Sequence, residues 1–177
     1  MADAQKEHLR MSHMVSLHYA EELNPLLCHF GNHLLAGRLV GHTGSSGMVY
    51  MPPKGYDPIT CVPTTEADEI QVSDHGTVSG YTIVTPVQYY GQQETQPFVY
   101  ASVLLDGCSM PVGGQDIVNT PHADVRVGMR VKAVWKPVEE RNIDGLSNRG
   151  WAGLDGVISG FEPNGEADAP EKVQGFL

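Results

Sequence analysis

The sequence predicts a mainly β protein, in which a small antiparallel barrel follows N-terminal helices and ribbon-like hairpins and precedes an extended C-terminal arm. Three observations predict this arrangement. Short stretches rich in Val, Thr, Tyr and Ile recur across 66–138 and are bounded by turn residues. Apolar residues recur at spacings of three and four across 12–35, which is typical of a helix. The remainder, 139–177, is rich in Gly, Asn, Asp and Glu.

The N-terminal segment, 1–37, is expected to be helical with an interruption near Pro25, because proline lacks a backbone donor and clashes with the preceding turn. The next segment, 38–65, has two turns bounded by glycine and proline on either side of a short apolar strand, "MVYMPP" (48–53). These turns have the outline of a zinc ribbon, a pair of hairpins that normally holds a metal ion.

The barrel is expected within 66–138. Its predicted strands are "GTVSGYTIVTP" (76–86), "PFVYASVLLD" (97–106), "CSMPVGG" (108–114) and "RVKAVWKPV" (130–138). An Asp-Gly pair between the second and third strands is a strong hairpin signal, and "PHADV" (121–125) allows a brief helix. The residues expected inside the barrel, with Trp135 on the other face, are Val78, Ile83, Val99, Val103, Val131 and Val134.

The last segment, 139–177, is interpreted as an arm with one apolar patch, "GWAGLDGVISGF" (150–161). Apolar anchors in an otherwise polar segment either dock on another protein or cover an edge of the barrel. The sequence leaves both alternatives open.

The charge balance opposes a role in binding nucleic acid. The chain carries 11 basic and 21 acidic residues, a net charge of −10, whereas proteins that bind nucleic acid neutralise phosphates with clustered Lys and Arg. The tyrosines and phenylalanine near the first two barrel strands could otherwise form a stacking platform for bases. We expect Tyr81 and Phe98 to pack in the core, and Tyr89 and Tyr90 to line a tunnel or a partner surface.

The cysteine pattern predicts a reducing compartment. The three cysteines, Cys28, Cys61 and Cys108, form an odd set without a C-x-x-C pair, which fits free thiols. The N-terminal "MADAQKEHLRMSHM" lacks the apolar region of a signal peptide, and no apolar run has the length of a membrane span. We therefore expect a cytoplasmic protein.

No set of residues in the sequence predicts an active site. His29 and His33 would share one face of a helix, but Phe30 stands where a zincin needs glutamate and a third ligand is not evident. We interpret both as surface or packing histidines. "GHTGSSG" (41–47) lacks the lysine of a phosphate-binding loop, and the cysteines are expected to be small buried residues.

The order of several short stretches resembles the domain-of-unknown-function-35 family, whose acyl-CoA-associated members combine a rubredoxin-like zinc ribbon with a five-stranded OB-fold. The resemblance covers about 15–163, and "GVISGFEPNGEADAP" (156–170) is similar to the closing segment of members found with steroid- and lipid-thioester catabolism. The stretches that carry it are "VYMPPK", "SDHGTVSGYTIV", "PFVYASVLLD" and "ADVRVGMRVKAVW".

Alignment on the family's ribbon places its four metal-ligand positions at Thr43, Ser46, Asp57 and Thr60. A structural zinc site needs four ligands, normally Cys or His, so we expect no bound zinc and no other cofactor. His42 and Cys61 each lie one residue from a ligand position, which leaves a two-ligand remnant conceivable. The hypothesis is that packing has replaced the metal and that the ribbon persists because its surface contacts a partner.

The resemblance implies a non-catalytic accessory subunit of a thiolase-fold acyl-CoA enzyme, either a thiolase or a steroid side-chain aldolase, in a hetero-oligomer. Such a subunit stabilises the catalytic partner and helps to bind or channel the acyl-CoA. The alternatives are a stand-alone acyl-CoA-binding module, for which Lys54, Arg126, Arg130 and Lys132 are sparse, and an OB-fold binder of single-stranded nucleic acid. The candidate contacts to acyl-CoA or partner are Lys54, Tyr89, Tyr90, Arg126, Arg130, Trp151 and Phe161.

Overall fold

A computed structural model describes residues 11–17, 22–85, 96–147 and 154–176 of the chain. Its β-strands form two units, a closed five-stranded barrel and a three-stranded sheet. None of the helices in these ranges is long and apolar enough to cross a membrane. The cytoplasmic location stays a prediction.

The N-terminal helix, α1 (Pro25–Leu35), begins where the sequence was expected to interrupt one. Proline is favoured in the first turn because its missing N–H has no partner there, and the Asn24 side chain caps the helix by accepting from the Leu27 N–H at 2.9 Å. Residues 11–17 and 22–24 are not helical. The helix buries Phe30 and Leu34 against the rest of the protein.

The ribbon contains a three-stranded antiparallel sheet in the order β2-β1-β3. Its strands are β1 (Leu39–Thr43), β2 (Val49–Tyr50) and β3 (Glu69–Val72). Between β2 and β3 the chain makes the second turn of the ribbon, closed by a bridge between Tyr56 and Pro63. We call the two turns, residues 44–47 and 57–60, the first and second knuckles.

The barrel is an OB-fold, as the sequence and the resemblance predicted. Its strands are β4 (His75–Val84), β5 (Phe98–Leu105), β6 (Val112–Ile117), β7 (Arg130–Trp135) and β8 (Ile158–Pro163). They run in the order β4-β5-β6-β8-β7, and β7 pairs with β4 to close the barrel. Only β6 and β8 are parallel, through Ile117 and Phe161. The Asp106-Gly107 turn follows β5 as predicted. The brief helix that the sequence allowed at 121–125 is a short 3-10 helix, His122–Asp124.

The fifth strand, β8, lies in the segment that was expected to form an arm, so the barrel does not end at 138. Ile158 and Phe161 are buried in the core. Gly160 needs glycine, because a Cβ there would lie 2.8 Å from Val118 Cγ1 and its φ is +153°. Gly160, Ser159, Glu162 and Pro163 lower the strand propensity of this six-residue segment, so propensity alone does not predict the strand. The edge-covering alternative is therefore the correct one for residues 158–161.

The predicted interior is right for Val78, Val99, Val103 and Val131, which are all buried. It is wrong for Ile83, whose side chain is 46% exposed, and Val134 is only half-buried. Ile83 pairs with the buried Val99 but lies one residue from the end of β4, where the strand is exposed. Val134 lies three residues from the buried Val131 and therefore faces the opposite side of β7. The exposed end of β4 also includes Tyr81, and alternation from Val131 and Ala133 turns Trp135 toward the core.

Candidate functional site

The two knuckles are joined by one fully buried carboxylate, that of Asp57. Asp57 Oδ2 accepts a hydrogen bond from the backbone N–H of Ser46 at 2.6 Å and another from the Ser45 hydroxyl at 3.3 Å. Oδ1 accepts from the backbone N–H of Ile59 at 2.9 Å and from the Tyr50 hydroxyl at 3.4 Å. Asp57 thus binds the first knuckle, the second knuckle and β2 at the same time.

Two neighbouring residues complete this hydrogen-bonded group. The hydroxyls of Thr60 and Ser45 lie 2.5 Å apart and connect the knuckles a second time. Gly44 allows the carboxylate to approach, because a Cβ at this position would lie 2.6 Å from Asp57 Oδ2. Of the four former ligand positions, Ser46, Asp57 and Thr60 therefore take part in the hydrogen bonds, whereas Thr43 is half-buried at the end of β1.

The hydrogen bonds decide the charge of Asp57. Burial by itself would raise the pKa of the carboxyl, but hydrogen bonds from Ser46, Ile59 and Thr60 outweigh it and hold the pKa well below its usual range. The carboxylate is therefore ionised at neutral pH. Its partners are N–H and O–H donors, which favour an anion at this point and offer few electron pairs to a cation.

The outer side of the second knuckle exposes three apolar side chains. Tyr56, Ile59 and Val62 are each between 47% and 65% exposed. We call these three residues the knuckle patch. Single exposed apolar residues are ordinary on a protein surface, but a group held on a rigid turn is typical of an interaction site.

An apolar groove of about 660 Å³ lies among α1, the ribbon and the barrel. Its lining includes three methionines, whose flexible side chains adapt to apolar ligands of different shape. Lys54 is the one basic residue among the described residues that line it. The main lining residues are Leu27, Met48, Met51, Ile59, Met110 and Leu146. Ile59 belongs to both the knuckle patch and the groove lining, so the two meet at this residue.

Of the predicted contact residues that the structure describes, Arg126, Arg130 and Phe161 do not line the groove. Lys54 lines the groove, as noted. Phe161 is fully buried inside the barrel, so its expected role as a surface contact is wrong. Tyr89, Tyr90 and Trp151 lie outside the described residues.

The predicted contact at Arg130 is also wrong, because this side chain is 6% exposed and fully engaged. Arg130 donates to both carboxylate oxygens of Asp106, at 3.0 and 2.5 Å, and to Glu166 at 2.8 Å. It also donates to the Thr77 hydroxyl at 3.0 Å. The guanidinium therefore ties β7 to the turn after β5 and to the C-terminal segment.

The remaining predicted cations are exposed but paired. Arg126 makes a two-point contact with the carboxylate of Asp168, at 2.5 and 2.8 Å. Lys132 pairs with Glu162 at 3.3 Å. Both groups are thus already balanced by nearby carboxylates.

The cysteines differ from the expectation that all three are buried. Cys28 and Cys61 are exposed, and Cys108 is half-buried. Burial raises the pKa of the Cys108 thiol to about 12, so the thiol stays protonated at neutral pH and is a weak nucleophile.

His29 and His33 meet a third group that the sequence did not indicate, the carboxylate of Glu69 on β3. His29 Nε2 lies 2.9 Å from Glu69 Oε2, and His33 Nε2 lies 3.2 Å from Glu69 Oε1. The feature of the sequence that pointed to this cluster is the spacing of the two histidines, four residues apart on a predicted helix. Their partner is brought into place only by the pairing of β3 with β1, which sets Glu69 opposite His42.

His42 is fully buried beside this group. Burial lowers its pKa and outweighs the opposing effect of the Glu69 carboxylate, so the ring is neutral at pH 7. It therefore adds no positive charge next to His29 and His33.

Part of the chain aligns with the DUF35 domain-containing scaffold protein of Methanocaldococcus jannaschii, with 32% identity over 107 residues. The aligned region is 59% of this chain and 72% of that protein. The chain belongs to the DUF35 family. Within this DUF35 chain, residues 69–136 match a family model described as the C-terminal OB-fold domain of ChsH2. The matched range includes β4 to β7 and ends before β8.

Two solved structures share the fold of this DUF35 chain. One, described as an Ltp2-ChsH2(DUF35) aldolase, superposes with a TM-score of 0.54 and 16% identity, over 81% of this chain and 98% of the other. The second is a DUF35 protein of unknown function from Sulfolobus solfataricus, with a TM-score of 0.50 and 20% identity, over 62% of this chain and 78% of the other. At these identities the likeness concerns the fold.

The ribbon of this DUF35 chain does not fit the zinc ion that the resemblance implies. Asp57 occupies one ligand position and is surrounded by hydrogen-bond donors. Cys61, next to a ligand position, is exposed. Within the described part of the chain, the one group of three side chains suited to hold a metal ion is His29, His33 and Glu69, outside the ribbon knuckles.

Proposed function

We propose that this chain is a non-catalytic accessory subunit of a thiolase-fold acyl-CoA enzyme, either a thiolase or a steroid side-chain aldolase. In this role it stabilises the catalytic partner and helps to bind or channel the acyl-CoA. The observation that carries the proposal is the knuckle patch, which lies on the turn that Asp57 holds and whose Ile59 also lines the apolar groove.

Family membership supports a role in assembly. The M. jannaschii relative is named a scaffold protein, and one solved structure of the same fold is described as an aldolase that contains Ltp2 and ChsH2. The thiolase fold of the partner and the acyl-CoA ligand are what the resemblance of the sequence implies. Use of the ribbon surface in assembly accounts for a ribbon that lacks the metal ligands implied by the resemblance.

The knuckle patch has the physical character of an interface centre. Burying the exposed part of an aliphatic or aromatic side chain contributes roughly 1–2 kcal/mol, and such anchors usually dominate the free energy of association. Ile59 is 65% exposed and therefore has the most surface to lose to a partner. The rigid turn beneath it lowers the entropic cost of ordering the side chains.

The groove suits the apolar part of an acyl-CoA better than its phosphates. Its lining is mainly Met, Leu, Ile, Val and Pro, and Lys54 is the one cation among the described lining residues. Arg126 and Arg130 are engaged by Asp168, Asp106 and Glu166. A stand-alone acyl-CoA-binding module needs converging cations for the phosphates, so in this proposal the catalytic partner provides most of them.

The test is co-expression with candidate thiolase-like proteins, followed by size-exclusion chromatography and a retro-aldol or thiolysis assay. We expect a stable complex that Ile59→Asp weakens at least tenfold, because a desolvated carboxylate in an apolar interface is strongly unfavourable. The matched control is Val138→Asp, which makes the same kind of change at another exposed position and should leave the complex intact.

Four outcomes oppose the proposal. Turnover by the isolated chain would contradict a non-catalytic role. A monomer with every candidate would contradict the partner role, and equal weakening by Ile59→Asp and Val138→Asp would remove the knuckle patch from the interface. Tight binding of acyl-CoA by the isolated chain would favour the stand-alone alternative.

A further inference from the structure

Two histidine rings on α1 and one carboxylate on β3 converge in a half-buried cluster. The Nε2 atoms of His29 and His33 lie 3.0 Å apart. Each also lies within 3.2 Å of an oxygen of Glu69. The rings meet edge to face with their centroids 4.6 Å apart, so both nitrogens point at the same small region.

These separations match those of ligand atoms around one metal ion. Ligands at 2.0–2.1 Å from a tetrahedral zinc ion are separated by about 3.3 Å, and this follows from the geometry of the tetrahedron. Two imidazole nitrogens and two carboxylate oxygens that lie this close need a shared proton or a cation between them to offset their repulsion. A shared proton would make the cluster an ion pair. A bound cation would in addition account for the convergence of all three side chains on one point.

The cluster is both supported and accessible. Phe30 and Leu34 on the buried face of α1 fix the rotation of the helix that carries the histidines. Pairing of β3 with β1 fixes Glu69 opposite the buried His42. The side chains of His29, His33 and Glu69 are 36%, 14% and 23% exposed, so an ion can enter while most of its surroundings are protein.

We propose that His29, His33 and Glu69 bind a divalent transition-metal ion, with Zn²⁺ as the best match. Two imidazoles and a carboxylate are ligands that zinc accepts, and Ni²⁺, Co²⁺ and Cu²⁺ bind similar sets. The fourth position is left for water or for a ligand from a partner. The site revises the sequence-based expectation that the chain binds no zinc, and it does not depend on the proposed function.

A metal ion at this site clamps α1 to the ribbon sheet. The resemblance implies a zinc ion that holds the two knuckles together. In this chain Asp57 joins the knuckles, and the proposed ion lies between α1 and β3. Binding of the ion to the folded state alone raises stability by mass action. The expected consequence is a melting temperature that rises with zinc concentration.

The experiment uses the full chain after treatment with a chelator. Zn²⁺ is titrated by calorimetry, and Co²⁺ is titrated by visible absorption. We expect about one ion per chain in the wild type, as a single set of three ligands dictates. Cobalt should show the d–d bands of nitrogen and oxygen ligands without the near-ultraviolet charge-transfer band of a thiolate.

Matched variants assign the site. His33→Gln and Glu69→Gln should each weaken zinc binding by at least tenfold, because each removes one of three ligands. His122→Gln, on the barrel side, and Cys28→Ser, next to His29 in sequence, should bind as the wild type does. Circular dichroism and a cooperative melting curve confirm that each variant folds, and His29→Gln replaces any variant that does not.

The proposal is overturned if the wild type takes up no zinc, since the cluster is then a proton-sharing ion pair. It is equally overturned if His33→Gln and Glu69→Gln bind zinc with wild-type affinity, or if cobalt gives a thiolate band that Cys28→Ser abolishes.

Discussion

Asp57 accepts a hydrogen bond from the backbone N–H of Ser46 at 2.6 Å, across the space between the two knuckles. The resemblance of the sequence implies a metal ligand at each of these two positions. Four donors, two from the backbone and two from hydroxyls, converge on the Asp57 carboxylate. A carboxylate surrounded by hydrogen-bond donors thus links the knuckles, whereas in a metal site a cation surrounded by electron-pair donors would link them.

Asp57→Asn should lower the melting temperature by several degrees at pH 7. In the wild type both carboxylate oxygens accept hydrogen bonds, among them those from the backbone N–H groups of Ser46 and Ile59. Asparagine replaces one of these oxygens with an NH₂ group, which places a donor against another donor. Thermal melts of the two proteins measure the effect. Asp155→Asn, at an exposed position, is the control and should change little.

The effect of Asp57→Asn should fade at acid pH. The pKa of Asp57 is lower in the folded than in the unfolded state, so its contribution is fully present above the unfolded value of about 4 and is lost as the pH falls below it. The difference in melting temperature between wild type and variant should therefore shrink from pH 7 to pH 3. A difference that grows toward acid pH would contradict this account.

Val103→Asp should abolish soluble expression, because it places a charge in the fully buried centre of β5. The milder Val103→Ala should lower the free energy of unfolding by about 2 kcal/mol through the cavity it leaves. Ile83→Asp is the matched control and should express normally, since the end of β4 is exposed. Chemical denaturation measures both effects, and equal damage at the two positions would place Ile83 inside the barrel.

Arg130→Leu should lower the free energy of unfolding by about 2–3 kcal/mol, the low end for a buried pair because Asp106 is partly exposed. The change leaves Asp106 and Glu166 without their shared partner and leaves Thr77 without its donor. Arg126→Leu breaks an exposed pair with Asp168 and should have little effect. Urea denaturation of the two variants compares them directly, and a larger loss from Arg126→Leu would reverse the assignment.

Deleting 150–177 should unfold the isolated chain rather than only weaken a complex. The deletion removes β8, which pairs with both β6 and β7, and with it the buried Phe161. Deleting only 165–177 keeps the strand but removes the buried Val173 and the ion pair to Arg130, so it should lower stability without abolishing folding. Melting curves of both truncations test this order. A cooperative wild-type transition in the longer deletion would mean that β8 is dispensable.

The sequence by itself determined the features that depend on neighbouring residues. Strands β4, β5 and β7 follow from alternation and β-branched composition, and the Asp106-Gly107 turn follows from local backbone geometry. The third predicted strand, 108–114, lies too early, because β6 runs from Val112 to Ile117. The lack of Cys and His at Thr43, Ser46, Asp57 and Thr60, the ligand positions that the resemblance implies, is also visible in the sequence, because ligand chemistry is a property of residue type. Burial at regular strand positions such as Val103 follows from the alternation of apolar and polar residues.

Only the tertiary structure decided the features that join distant parts of the chain. β8 becomes a barrel strand because β6 and β7 present it with unpaired edges, although Ser, Gly, Glu and Pro in its sequence give it low strand propensity. Arg130 is buried because three distant groups, Thr77, Asp106 and Glu166, satisfy its donors. Glu69 meets His29 and His33 only through strand pairing. In each case the stabilising partner is far away in sequence, and local periodicity carries no record of it.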